Sequence, residues 1–251
     1  MKSSITTPLV SVVIPAYRCS ETIQKAIDSV LIQSVPLELI IINDCSPEDL
    51  DTVIMPYLVK ENVIYLRNDH NMGVAKSRNR GVRKARGNYI AYLDADDYWT
   101  DDKLEKQLYV MEEKKCVLCY TARELFDSSG ESIGKIIPVR EEINYGQLLY
   151  HNSINCSSVL ILAKVAKEFP MERDDAHEDY LTWLRILKKY KKAYGINEPL
   201  LKYRLSAGGK SSNKLKSAKM TYQVYRIMEL GRIRSIFYFI TYILNGIRKH
   251  I

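Results

Sequence analysis

Long apolar runs are missing from this sequence. The longest candidate, residues 236–247, is 12 residues and is interrupted by tyrosines and an asparagine, well short of the ~20 that cross a bilayer. Residues 1–7 are polar and the apolar run behind them, residues 9–14, is six long, so no cleaved export signal is expected. Glycine (11) and proline (8) are sparse among 251 residues, which excludes collagen-like and linker-rich chains. The cysteines number five, Cys19, Cys45, Cys116, Cys119 and Cys156. An odd set without paired spacing argues against a disulfide framework and fits a reducing cytoplasm. Cys116-x-x-Cys119 lacks the second pair that a zinc site wants and lies in an apolar run, so both read as small core residues. His70, His151, His177 and His250 show no zinc spacing. There is no Gly-x-Ser-x-Gly nucleophile elbow. A dinucleotide loop would follow the first strand, but Pro15-Ala16-Tyr17-Arg18 stands there. Gly209-Lys210-Ser211 ends like a phosphate loop, yet Arg204 occupies the place of its first glycine. Asn155-Cys156-Ser157 fits a glycosylation sequon that is silent without export.

What is present suits a globular chain. Hydrophobic residues make up 46% and charged ones 27%, which excludes a disordered chain. The length allows one large domain, or one with an appendage. Tyrosine outnumbers phenylalanine, 18 to 4, a bias toward half-wet surfaces and interfaces. Net charge is +7, unevenly placed. From Lys202 onward eleven Lys and Arg face one acid, Glu229, so that stretch carries +10 and the first 201 residues −3. An acidic body with a basic tail is a polarity that an anionic surface reads.

The first hundred residues alternate strand and helix. Residues 9–14 form a β-rich run stopped by Pro15, and residues 21–33 carry Ile23, Ala26, Ile27, Val30 and Leu31 at helical spacing. Strands are expected at 37–42, 63–66 and 89–93, and helices at 47–59 and 73–85. Such alternation predicts an α/β fold with a mainly parallel sheet and helices on both faces. Ligands of such sheets bind beyond the carboxyl ends of the strands. Polar residues gather there: Pro15-Ala16-Tyr17, Asn43-Asp44 and Asp94-Ala95-Asp96-Asp97. Further on, helices are expected at 104–111, 179–190, 220–229 and 233–247, and strands at 116–121 and 157–162.

Three carboxylates within Asp94–Asp97 repel one another, so a compensating cation or a function is expected to keep them together. Their oxygens suit Mg²⁺ or Mn²⁺, which take one or two carboxylates plus substrate phosphates. Spacing alone leaves a solvated acidic turn equally open; the position at a strand end favours the cation. Arg80, Arg83, Arg86, Lys76 and Lys84 read as a solvated helix face. Arg78, in the first turns near the crevice, suits a diphosphate instead. His177-Glu178-Asp179 opens a helix, where acids complement the macrodipole; the functional alternative is a carboxylate general base.

These pieces together resemble family 2 glycosyltransferases, inverting nucleotide-sugar enzymes with a GT-A fold. The resemblance rests on Val10 through Tyr17, Glu38 through Ser46, Gly73-Val74-Ala75 with Arg78-Asn79-Arg80-Gly81, Gly87 through Asp97, and Glu178-Asp179. The stretches 145–149 and 155–159, and Tyr203-Arg204 followed by Ser211-Ser212-Asn213-Lys214, look like the branch that builds bacterial cell-surface polysaccharides. The resemblance implies that residues 1–100 form the nucleotide-sugar half of the domain and 101–212 the acceptor half, with 213–251 a basic helical tail. It implies that Pro15, Ala16 and Tyr17 line the nucleotide pocket, Tyr17 against uracil, and that Asp44 bonds the uracil ring. It further implies that Arg78 approaches base or diphosphate, that Asp94 and Ala95 lie by the ribose, that Asp96 ligates Mn²⁺ or Mg²⁺, and that Asp179 is the base. Two departures stand out: Asn43-Asp44-Cys45-Ser46 replaces the usual Asp-Asp-Gly-Ser, and Arg18 stands where asparagine is common.

The implied reaction moves a hexose or N-acetylhexosamine from a UDP-sugar to a glycan acceptor on a polyprenyl or similar lipid diphosphate. Arg232 and Arg234, the aromatic run behind them and Arg248-Lys249 suit the inner membrane surface; packing on the body or on a second subunit of a homo-oligomer is the alternative. The expected location is cytoplasmic, peripheral to the membrane. The rival class is a non-catalytic protein binding membrane surface or nucleic acid through the tail. It predicts salt-sensitive binding to polyanions and no UDP-sugar affinity, and it leaves the acids at the strand ends unexplained; no nucleic-acid partner is expected. A sugar-nucleotide pyrophosphorylase shares the layout but wants a Gly-rich loop after the first strand.

Overall fold

Each apolar run of the first hundred residues becomes a strand: β1 (Val10–Ala16), β2 (Leu37–Asn43), β3 (Val63–Arg67) and β4 (Tyr89–Tyr92). They lie in the order β3-β2-β1-β4 and are all parallel. The computed structural model describes residues 7–173, 175–205 and 214–248. Period-2 alternation along the buried strands divides the core in two. Val12, Ile14, Leu39 and Ile41 face α1 (Ile23–Leu31) and α2 (Leu50–Ile54), whereas Val13, Ile40 and Ile42 face α3 (Val74–Lys84). Helix α3 packs closely because Gly81 has no side chain; a Cβ there would meet Val13 Cγ1 at 2.4 Å.

Two prolines mark where sequence and structure part. The first strand runs through Pro15 to Ala16. Val13 O bonds toward β4 and Ala16 O toward β2, so the missing N–H of Pro15 faces the β4 side, where the pairing has already ended. The helix expected over 47–59 is only α2, capped by Asp49 and followed by a 3₁₀ turn at Met55–Tyr57. Pro56 cannot supply the N–H that a longer α-helix needs.

The second half extends the same sheet. It contains β5 (Tyr98–Trp99), α4 (Lys103–Glu113), β6 (Leu118–Phe126), β7 (Ser132–Ile137), β8 (Glu142–Asn144) and α5 (Tyr145–Tyr150). A 3₁₀ turn at Cys156–Ser158 leads to β9 (Leu160–Leu162), α6 (Ala163–Glu168), α7 (Glu178–Tyr190) and β10 (Lys192–Arg204). The order continues β4-β9-β6-β10-β5, with β7 beside β6 and β8 beside β10. Strand β9 is antiparallel to both β4 and β6. It thereby restores β6, and β10 parallel to it, to the direction of the first four strands. The carboxyl ends of β1, β2, β4, β6 and β10 thus open on one edge, and the sheet is parallel at its core and mixed beyond β4. Cys116 and Cys119 are buried free thiols, pushed up by burial to about 11 and about 12.

The tail is a helical pair, α8 (Lys214–Ile227) and α9 (Arg232–Arg248). One face of α9 packs on the body through aromatic rings. Tyr238 meets Tyr150 at 5.2 Å and Tyr225 at 6.1 Å, and Tyr242 meets Tyr180 at 6.2 Å. Part of the tyrosine surplus is spent here. The other face leaves Ile233, Ile236, Phe237, Ile240, Ile243 and Leu244 exposed, a second apolar stripe at helical spacing. No helix among the described residues is long and apolar enough to cross a membrane. Residues 209–213, including Gly209-Lys210-Ser211 and the Ser211-Ser212-Asn213 motif, lie outside the described residues, as does the Lys249 end of the tail.

Candidate active site

Adjacent parallel strands bring their terminal residues within about 5 Å of one another, so Ala16, Asp44 and Asp94 become neighbours by topology. The Asp44 amide donates to Ala16 O at 2.8 Å. Its buried carboxylate already holds three donors: Oδ1 accepts from Asn68 Nδ2 (2.6 Å) and Met72 N (2.8 Å), Oδ2 from Gly73 N (2.9 Å). These amides lie at the start of α3, where a helix N-terminus favours an anion. Gly73, at φ +88°, gives the turn its shape. Asp44 therefore anchors α3 whatever else it binds, with spare lone pairs left on Oδ2.

The loops after β1 and β2 explain both sequence departures. Cys45 has φ +56° and Arg18 φ +51°, in the left-handed region that glycine occupies freely and asparagine tolerates. Cys45→Gly should therefore stabilise the protein by about 0.5–1 kcal/mol, the relief of a left-handed side chain less the entropy glycine loses. A melting temperature about 2–4 °C higher would register it; no rise would show that the Cys45 contact to Asp69 O (3.7 Å) outweighs the strain. Tyr17 beside it is exposed, Pro15 half-buried and Ala16 buried.

Arg78 occupies the centre. Its side chain is 4% exposed; one terminal nitrogen donates to Asp94 Oδ1 (2.5 Å), the other to Glu178 Oε1 (2.9 Å). Burial opposes its charge, but the two carboxylates outweigh that and hold it well above the usual range. The sequence reading gave Arg78 to a base or diphosphate; the structure spends both terminal nitrogens on the protein. Only Nε lacks a partner among the described residues. Arg78 is thus a strut between the end of β4 and the start of α7. Of the other cations on α3 and just past it, Arg80 donates to Arg67 O at 2.7 Å and Arg86 pairs with buried Glu38 at 2.8 Å, so neither is merely solvated.

The acidic run divides its labour. Asp94 serves Arg78, and its amide donates to Ser157 Oγ at 3.1 Å. Ala95 is buried. Asp97 points inward, Oδ1 accepting from Arg204 N at 2.9 Å while Oδ2 is buried without a partner among the described residues. Burial first, then the charges of Asp96 and Asp94, raises the Asp97 carboxyl well above the ordinary range. Asp96 is half-exposed, and its carbonyl accepts from Arg204 Nε at 3.2 Å. No three ligating side chains converge among the described residues. The half-exposed Asp96, the expected ligand, fits a hard cation that brings its own phosphate oxygens, with the unpartnered Oδ2 of Asp97 one residue along.

Asp179 stands one residue beyond the strut. It is half-buried, and Oδ1 accepts from Tyr180 N at 2.7 Å. Burial first, then Glu178, raises its carboxyl, with His177 and Arg78 opposing. His177 Nε2 bonds Ser217 of α8 at 3.1 Å, so the tail braces the start of α7. Arg78, Asp94 and Asp179 are thus brought together, with Asp44 and Tyr17 following the neighbouring strands β2 and β1. Reasoning on the sequence missed Asn68, Ser157 and Arg204 as supports. Asn68 follows β3 and is recoverable from the strand-end rule; Ser157 and Arg204 carry no local signal of their role.

Comparison with known proteins agrees with this fold. A family model described as glycosyl transferase family 2 matches residues 11–166. The chain is 37% identical over 97% of its length to a putative teichuronic acid biosynthesis glycosyltransferase, TuaG, of Bacillus subtilis, covering 98% of that protein. It is 33% identical to WfaP of Escherichia coli, a UDP-Glc:alpha-D-GlcNAc-diphosphoundecaprenol beta-1,3-glucosyltransferase, over 96% of this chain and 95% of that protein. Among solved structures, S. aureus TarS 1–349 with UDP-GlcNAc superposes at a TM-score of 0.73 and 17% identity, over 92% of this chain and 70% of that one. A mannosyltransferase from Pyrobaculum calidifontis with GDP-Man and Mn²⁺ superposes at 0.70 and 14% identity, over 91% and 66%. These two likenesses bear on the fold, a GT-A arrangement.

Proposed function

The chain belongs to glycosyl transferase family 2, and from that premise we propose that it is an inverting, metal-dependent transferase. It moves a hexose or N-acetylhexosamine from a UDP-sugar to a hydroxyl of a sugar carried on a lipid diphosphate. The product is a unit of a bacterial surface polysaccharide, such as an O-antigen or capsule. The observation that carries this reading is the Arg78 strut. It joins the strand end where the donor would lie to the helix whose first turn holds Asp179. The relatives support the substrates: WfaP acts with UDP-Glc on GlcNAc-diphosphoundecaprenol, and TarS binds UDP-GlcNAc.

Residues 1–100 then serve the donor, 101–212 the acceptor, and 213–251 the surface where the acceptor resides. Pro15, Ala16 and the exposed Tyr17 ring form the wall for uracil, with Asp44 at its edge and Asp94 and Ala95 by the ribose. Asp96 would hold Mn²⁺ or Mg²⁺, whose charge would offset that developing on the leaving UDP. Asp179 accepts the proton of the attacking hydroxyl. Attack opposite the leaving group inverts the anomeric centre, so an α-linked donor yields a β-linked product. Titrating UDP calorimetrically tests the scheme. Manganese-loaded protein should bind at least about tenfold more tightly than chelator-treated protein, since charge-assisted phosphate contacts are lost without the ion. Identical heats would sink it.

The outer stripe of α9, with Arg232 and Arg234 at its start, is proposed to lie in the cytoplasmic face of the inner membrane. Ile236→Glu with Ile240→Glu should weaken binding to anionic vesicles by at least about tenfold, since two apolar side chains leave the lipid. Unchanged vesicle binding, with a dimer that the substitutions dissociate, would assign the stripe to a homo-oligomer instead.

A further inference from the structure

The loop between α5 and the 3₁₀ turn at Cys156–Ser158 carries two unmet polar atoms in succession. Asn152 Oδ1 and Ser153 Oγ are buried and have no hydrogen-bond partner among the described residues, although both residues are only half-buried as wholes. A buried polar atom without a partner costs about 1–3 kcal/mol, and native folds keep few of them. Two adjacent ones in a loop, where solvent normally satisfies polar groups, call for a ligand.

The position of the loop says which. At one end the His151 ring lies 5.3 Å from Tyr242, and Tyr242 lies 6.2 Å from the ring of Tyr180, whose amide donates to Asp179 Oδ1. At the other end Cys156 is buried beside Ser157, whose Oγ accepts from the Asp94 amide. Asn152 and Ser153 thus lie on the strip of chain that runs from the neighbourhood of the candidate base to the end of β4. A molecule whose hydroxyl attacks the donor from the Asp179 side lies along that strip. Its chemistry must match an amide carbonyl and a hydroxyl side by side. Pyranose hydroxyls and an N-acetyl N–H, which donate to the first and exchange with the second, do so.

We infer that Asn152 and Ser153 form a subsite for the acceptor saccharide, a binding role resting on the transferase reading above. The two atoms are unmet without acceptor and are paired by its hydroxyl or amide groups when it binds, so stability is surrendered for recognition.

The test is calorimetry with the full chain, loaded with UDP and Mn²⁺, against a panel of alkyl-diphosphate-linked hexoses and N-acetylhexosamines. Wild type should bind one or more of them. Asn152→Ala and Ser153→Ala should each weaken that binding about tenfold, the loss of one hydrogen bond. They should leave the UDP dissociation constant unchanged and the melting temperature unchanged or higher. Unchanged saccharide affinity in both variants overturns the inference while the transferase reading stands. A melting temperature lowered by several degrees also overturns it, because the atoms then serve a buried structural water. A wild-type protein that binds no UDP fails the transferase reading and takes the inference with it.

Discussion

Asp179→Asn should slow sugar transfer by about 10²–10⁴-fold, the usual contribution of a positioned general base, and leave UDP affinity within about twofold. Asparagine keeps the size of the side chain and its contact with the Tyr180 amide (2.7 Å); it cannot take a proton. Because the residues proposed for the donor end or follow β1, β2 and β4, UDP should bind without the carboxylate. Equal losses in turnover and UDP affinity would remove Asp179 from the chemistry. Its titration gives a second signature. Burial and the neighbouring Glu178 raise this carboxyl above 3.8. The base works only when ionised, so activity falls as pH drops through that raised value, and the acid limb lies above that of an ordinary aspartate. The limb should vanish from the residual rate of the variant.

The largest loss of stability should follow Arg78→Met. Methionine nearly matches the arginine stem but leaves Asp94 and Glu178 facing a site with no cation, and Glu178 is only 8% exposed. Removing one partner of a buried ion pair costs about 3–5 kcal/mol. At about 2–4 °C per kcal/mol for a chain of this size, the melting temperature should drop by roughly 10 °C. Arg78→Lys should fall between, since an ammonium supplies the charge without the two-pronged geometry. Adding Glu178→Gln to the methionine variant should restore part of the loss by removing one stranded carboxylate. Thermal denaturation without ligand reads all three. A shift below about 2 °C for Arg78→Met would show that solvent reaches the pair and that the strut is slack.

The strut also shows how much of the site was legible. The alternation of the first hundred residues fixed the four parallel strands, and the strand-end rule placed Asp44 and Asp94–Asp97 at one crevice without any coordinates. What it did not disclose is how those acids are used. By spacing alone, three carboxylates in four residues read equally as a cation site or an acidic turn; in the fold one serves Arg78, one faces inward to the Arg204 amide, and Asp96 takes the half-exposed position. The division depends on Glu178 and Arg204, about a hundred residues away, and no local spacing encodes that. The second half was harder for a similar reason. Strand β10 contains Asn197-Glu198-Pro199, which reads as a turn. The structure absorbs it in a register shift between Ile196 and Leu201, at the cost of one irregular stretch in a long strand. Cys45 and Arg18 were visible as oddities, and only their positive φ explains which residues are usual there.

The two-sided character of α9 bears on how the protein is best handled. Cutting the chain at Gly231 to obtain a more tractable version would remove the outer stripe, but it would also strip Tyr238 and Tyr242 from Tyr150, Tyr180 and Tyr225. The freshly bared rings include Tyr180, in the first turn of the helix that carries Asp179. The shortened protein should therefore clump in the absence of any lipid. Detergent, or charge placed on the outer stripe alone, is the gentler route to a well-behaved sample.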